Sequence, residues 1–143
     1  MELAVAAVFT WLGMVLAISF LEAPLKFRAP GITIPLGLGI GRLVFRALNA
    51  AEVVLVVVVV ISLLLDDADR PATRAVVALG VAGAVLLAQL LAIRPALTKR
   101  SDAVLAGASP ADAPRSRAHL WYVGAEVAKV VALVLGGSFL LAG

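Results

Sequence analysis

The chain has 143 residues, of which 63% are hydrophobic and only 15% charged, with a formal charge of +3 and a mean hydropathy of +1.10. Soluble domains run nearer ~45–50% apolar, so this excess excludes a disordered chain, a disulfide scaffold and an ordinary soluble enzyme. Cysteine is absent, which removes disulfides, thiolate nucleophiles, thiol relays and Cys-based metal sites. Met1 and Met14 are the only methionines, too few for a thioether copper path. The basic residues lie beside apolar runs, where anionic lipid and topology account for them, so no nucleic-acid partner is expected.

A bilayer core needs ~20 mostly apolar residues per helix, and four stretches qualify: residues 3–21, 48–65, 75–93 and about 120–142. The fold class this predicts is all-α, a polytopic membrane four-helix bundle forming a single transmembrane domain over residues 1–143. The first stretch lacks the basic leader of a signal peptide, since Glu2 is the only charge before it, and it is read as a retained helix. Glu22-Ala-Pro24 is expected to end that helix, because proline disfavours helical geometry in the residue before it. Arg28-Ala-Pro30-Gly31 then makes a turn.

From about Pro35 a helical pattern resumes and runs without a breaker to Leu65. Such a helix is ~45 Å long, so its first turns should extend into the cytoplasmic interface. The unbroken, valine-rich apolar run at 53–61 would suit a strand in water, but a lone strand in lipid leaves its backbone unsatisfied. Gly37-x-Gly39-x-Gly41 is not the dinucleotide fingerprint, because Arg42 stands at the third glycine's place and no strand precedes it. Close helix approach is the expected reason for these glycines.

The first connection carries Lys26, Arg28, Arg42 and Arg46, and the third carries Arg94, Lys99, Arg100, Arg115 and Arg117. The second has Asp66, Asp67 and Asp69 against Arg70 and Arg74. Basic loops resist translocation, so the first and third connections should be cytoplasmic and both termini outside, in a bacterial inner membrane.

Small residues recur at four-residue spacing in the last two spans: Gly80, Ala84, Ala88 and Ala92, then Gly124, Ala128, Ala132 and Gly136. Lipid supplies no hydrophobic push between helices, so close backbone approach across such ridges drives association. Spans three and four are expected to pack along them, together or across a homo-oligomer or larger membrane complex.

Ionisable groups at membrane depth cost ~2.5–3.5 kcal/mol each on insertion scales, so each needs a partner or a purpose. His119, Tyr122, Glu126 and Lys129 share one face of the last helix. Arg42, Arg46 and Asn49 form a stripe on the second helix with Glu52 beside it, Gln89 lies toward the same end of the third, and Glu22 ends the first. Four segments thus aim polar groups at one cytoplasmic-side locus. Three readings follow. The locus is a solvent-reached cavity for a proton-linked small solute, an anionic ligand or a lipid headgroup, with Arg42 and Arg46 at its mouth. Alternatively its charges are packing glue in a non-catalytic accessory or assembly subunit. The third is haem or metal binding through His119, the lone histidine, though no cofactor is predicted. No Ser–His–acid order, His pair or phosphate loop points to an enzyme.

Residues 19–31 (Ser19-Phe-Leu-Glu22-Ala-Pro24-Leu-Lys26-Phe-Arg28-Ala-Pro30-Gly31), Gly41-Arg42…Phe45-Arg46…Asn49…Glu52 and His119…Tyr122…Glu126…Lys129 resemble an uncharacterised group of bacterial four-helix integral membrane proteins. The resemblance implies the fold and the notable positions, and carries no activity.

Overall fold

In hydrocarbon, where water cannot satisfy backbone groups, a chain this apolar has helix as its economical form. The computed structural model describes residues 1–66, 71–93 and 117–142, together with 95, 98–99, 102–103 and 106–107 of the third connection, the side chains of 93 and 117–119 excepted. Among the described residues there is no strand, and four helices are long and apolar enough to cross a membrane.

Helix α1 runs Glu2–Arg28, past the predicted stop at Pro24. It is α-helical over Glu2–Val15, widens to a π-helix over Leu16–Glu22, and tightens to a 3-10 turn at Lys26–Arg28. The π segment explains why proline fails to stop it. In α geometry the Pro24 ring would press on the carbonyl of Phe20, and a wider turn just before it relieves that clash. Gly31, at φ 78°, then reverses the chain.

Helix α2, Ile34–Leu65, is capped by Thr33, whose hydroxyl accepts from the Leu36 amide at 3.3 Å, with a proline in the first turn. It starts one residue before the predicted Pro35. Gly37 and Gly41 face inward: a Cβ on Gly37 would come within 2.3 Å of the Phe27 ring, and one on Gly41 within 3.0 Å of Lys26 Nζ. Those glycines admit the end of α1 against α2, which is close helix approach as expected. Helix α3 is Thr73–Ala88, continued by a second π segment over Gln89–Ile93. Helix α4 is Arg117–Ala142.

The packing order is α2, α1, α4, α3, with α1 touching both α2 and α4, while the consecutive α2 and α3 barely meet. The Met1 amino group pairs with Asp66, fixing the start of α1 beside the end of α2. The largest helix contact is α3 with α4, so the last two spans do pack together.

Their seam is not the pair of ridges read from the sequence. Gly80, Ala84, Ala88, Ala92, Gly124 and Ala128 are exposed; Ala75, Leu79, Ala82 and Leu86 of α3 face inward, as do Ala132 and Gly136 of α4. A Cβ on Gly136 would stand 2.6 Å from Leu79 Cδ2. The seam therefore sets leucine into glycine. A four-residue repeat also drifts around the helix by ~40° per step, so it cannot hold one face over four turns. The apolar core, built from Ala4, Val8, Trp11, Val15, Val59, Leu79, Leu86, Leu133 and Leu140, lies between these elements.

Candidate functional site: a buried charge network

Each helix contributes a polar side chain to one cluster. Glu52 of α2, Gln89 of α3, and Glu126 and Lys129 of α4 are at most 2% exposed. The Lys129 ammonium meets Glu52 Oε1 at 2.5 Å, Gln89 Oε1 at 2.8 Å and Glu126 Oε1 at 3.2 Å. An ammonium has three donors, and three acceptors surround this one. Gln89 closes the ring by donating Nε2–H to Glu126 Oε1 at 2.8 Å. From α1, the Trp11 indole donates to Glu52 Oε1 at 2.8 Å. At 1.5 Å rise per residue, Glu52 and Lys129 both lie roughly 20 Å along their helices from the end where Met1 meets Asp66.

Periodicity explains the convergence on α4: Tyr122, Glu126 and Lys129 fall at spacings of four and three residues, on one stripe. On α3 the side chain that reaches in belongs to the first residue of the π segment, Gln89. π-bulges inside helices frequently mark functional sites.

Charge does not balance here. Two carboxylates face one ammonium, so with all three ionised the sealed cluster carries one negative charge. Glu126 Oε2 is sealed and has no hydrogen-bond partner among the described residues, as are the Tyr122 hydroxyl and Ser19 Oγ. The three belong together, since Tyr122 interacts with both Glu126 and Ser19. Its ring also packs edge-on to Phe45, 5.5 Å between centroids.

Of the residues expected to share one locus, Glu52, Gln89, Glu126 and Lys129 are in direct contact, and Tyr122 adjoins them. Asn49 is buried on α2, one turn from Glu52. Glu22 stands apart, paired with Lys26 at 3.3 Å. Arg42 turns to Asp102 at 2.5 Å, and Arg46 is exposed. The His119 side chain lies outside the described residues. The locus was expected to be a cavity reached by solvent; instead its side chains close on one another and leave no opening to Glu52 or Lys129, both 0% exposed. A shallow cleft of about 350 Å³, lined by Met1, Leu3, Ile61, Ser62, Leu65 and Asp66, lies at the far end. Among the described residues, no three His, Cys, Asp or Glu side chains gather closely enough to hold a metal ion.

Sequence reasoning missed Trp11. The signal was there: Trp121, at a helix start and 70% exposed, fits an interfacial belt, whereas a tryptophan deep in a span needs an acceptor for its indole N–H.

These features define a class: a chain whose described residues are largely helical, with four helices among them fit to cross a membrane, joined by a buried charge network. Comparison with family models, with curated proteins and with solved structures gives no match. The resemblance to the bacterial four-helix group therefore rests on the quoted residues alone.

Proposed function

We propose that the chain is a multi-pass inner-membrane protein that moves a small solute in step with a proton, and that Glu52, Glu126 and Lys129 are its proton-carrying site. The carrying observation is the excess carboxylate. Burying an uncompensated charge in hydrocarbon is expensive, and a proton on one of the two carboxylates removes it. Glu126 supplies an oxygen to hold that proton, Oε2, which has no other bond. A group neutral in one state and charged in another biases the packing around it, which is what coupling to solute movement requires. In this reading the basic first and third connections face the cytoplasm, both termini lie outside, and the first turns of α2 project into the cytoplasmic interface.

The test is uptake. Purified chain in proteoliposomes is screened for solute-dependent proton movement with an internal pH dye. Glu126→Gln and Glu52→Gln should each abolish it while the protein stays folded. Proton movement that survives both variants would remove the site from the mechanism.

A second reading has its own observation. Lys129 is enclosed with every donor matched, as packing glue in an accessory subunit would be. That reading predicts that both glutamine variants rescue a cell lacking the protein, and that a partner co-purifies in mild detergent. The exposed ridge of Gly80, Ala84, Ala88 and Ala92 is the surface available for a second copy or such a partner.

A further inference from the structure

Among the described residues, three sealed polar atoms that make no hydrogen bond of ordinary geometry stand near one another, with Tyr122 facing the other two: Ser19 Oγ on α1, and Tyr122 Oη and Glu126 Oε2 on α4. A buried polar group left unmade costs about 1–3 kcal/mol, so three together in a helix bundle call for a use. Their position gives it. Ser19 sits in the π turn Leu16–Glu22. That same turn ends at Glu22, whose side chain is 28% exposed and paired with Lys26. Lys26 in turn lies 5.4 Å from the Phe45 ring, and Phe45 packs against Tyr122. Ser19 thus stands three residues from the part-exposed Glu22 on α1, and Tyr122 faces both Ser19 and Glu126.

The other direction is closed. Between the network and the end where Met1 meets Asp66, the buried side chains are Ala4, Ala7, Val8, Leu79, Ala82, Leu133 and their apolar neighbours. Among the described residues, one further sealed atom without a partner, Ser62 Oγ, lies near the Met1–Asp66 end of α2.

We infer that Ser19 and Tyr122 form a proton relay that loads Glu126 from one membrane face only, the face bearing Glu22 and Lys26. The inference rests on the proton-carrying reading of the network. A proton from water at Glu22 and Lys26 bonds to Ser19 Oγ, which releases its own proton to Tyr122 Oη; that hydroxyl passes its own to Glu126 Oε2. Both hydroxyls end neutral, and the carboxylate becomes a carboxylic acid. The charged groups around the acceptor are Lys129 on α4 and Glu52 on α2; α3 presents the neutral Gln89, and α1 presents Ser19 with Glu22 beyond it. Tyr122 faces Ser19 on one side and Glu126 on the other, the order a hand-to-hand transfer needs. Ser19 and Tyr122 are positioning residues for this transfer, since neither holds the proton at rest.

Trp11 reports on the network through its bond to Glu52. In a Trp121→Phe background, which removes an exposed ring, its fluorescence follows loading after a pH jump in stopped flow. Ser19→Ala with Tyr122→Phe should slow relaxation by about tenfold or more while the equilibrium midpoint stays put. Ser19→Thr, which keeps the hydroxyl, should restore the rate in an otherwise native chain. If the double variant disturbs folding, either single variant of native helicity serves. Relaxation at the parental rate without the hydroxyls overturns the relay and leaves the site standing. A parental response that persists in Glu126→Gln overturns the site and the relay with it. In sealed vesicles, external acid should load only those chains whose Glu22–Lys26 end faces out; loading of every chain overturns the one-sided route.

Discussion

Lys129→Met is the sharpest test of the network's energetics. Methionine keeps the unbranched apolar stem and deletes the ammonium, so contacts at 2.5, 2.8 and 3.2 Å to Glu52, Gln89 and Glu126 disappear together. Two of these contacts cross between helices, the one with Glu126 staying within α4; interhelical hydrogen bonds in a membrane average about 0.6 kcal/mol and reach about 1.7, so the two give about 1–3.5 kcal/mol. Breaking a buried ion pair from one side costs about 3–5 kcal/mol in water-soluble proteins, which meets the upper end of that range. The loss is read from unfolding in mixed micelles as SDS mole fraction rises, following helicity. The contact with Glu52 spans α2 and α4, which otherwise meet little. Adding Glu52→Gln should therefore return part of the loss, with a coupling of about 0.5–3 kcal/mol. A loss below about 0.5 kcal/mol, the size of an ordinary surface change, would refute the view that Lys129 holds three helices together.

Trp11→Phe keeps a ring in the core and deletes one bond to Glu52; stability should fall by about 0.6–1.7 kcal/mol in the same unfolding assay. Gly136→Ala sets a methyl 2.6 Å from Leu79 Cδ2 and should cost about 1–3 kcal/mol through overpacking. Leu79→Ala in the same chain should relieve part of that, seen as a partial recovery of Tm in detergent. Ala84→Leu with Ala88→Leu falls on exposed positions, so Tm in detergent should hold. Gly37→Leu meets the Phe27 ring and should loosen the end of α1, read as faster amide exchange over residues 23–28.

How much of this was legible depended on the kind of information each feature needs. The spans were legible because hydrocarbon imposes a length and a composition on every crossing helix: the last two keep to within about two residues of the limits read from the sequence, and Ile34–Leu65 matches the helix expected from Pro35 rather than the shorter span 48–65 inside it. The stripe of Tyr122, Glu126 and Lys129 was legible because one helix has one period. Pro24 was misleading: the rule about proline assumes α geometry, and whether a π turn precedes it depends on tertiary packing. The small-residue ridges misled for a different reason. Spacing tells which residues share a face, but the choice of face is made by the partner, and Leu79 seated over Gly136 decided it. Trp11 was overlooked because an aromatic in a greasy run looks like core until its N–H is counted.

The two functional readings divide on one asymmetry inside the network. Glue is symmetric in its needs: an ion pair that only holds helices together should match every donor with an acceptor, as Lys129 does. It gives no reason for a second carboxylate that leaves an excess negative charge in a sealed cluster, nor for burying the Tyr122 hydroxyl between Ser19 and Glu126. If cohesion were the only demand, apolar residues of similar volume would serve as well as a buried charge network or better, and most of this chain already consists of them. The satisfied half of the cluster, toward Glu52 and Trp11, behaves as structure. The unsatisfied half, toward Glu126 and the π turn of α1, is where a proton has somewhere to go.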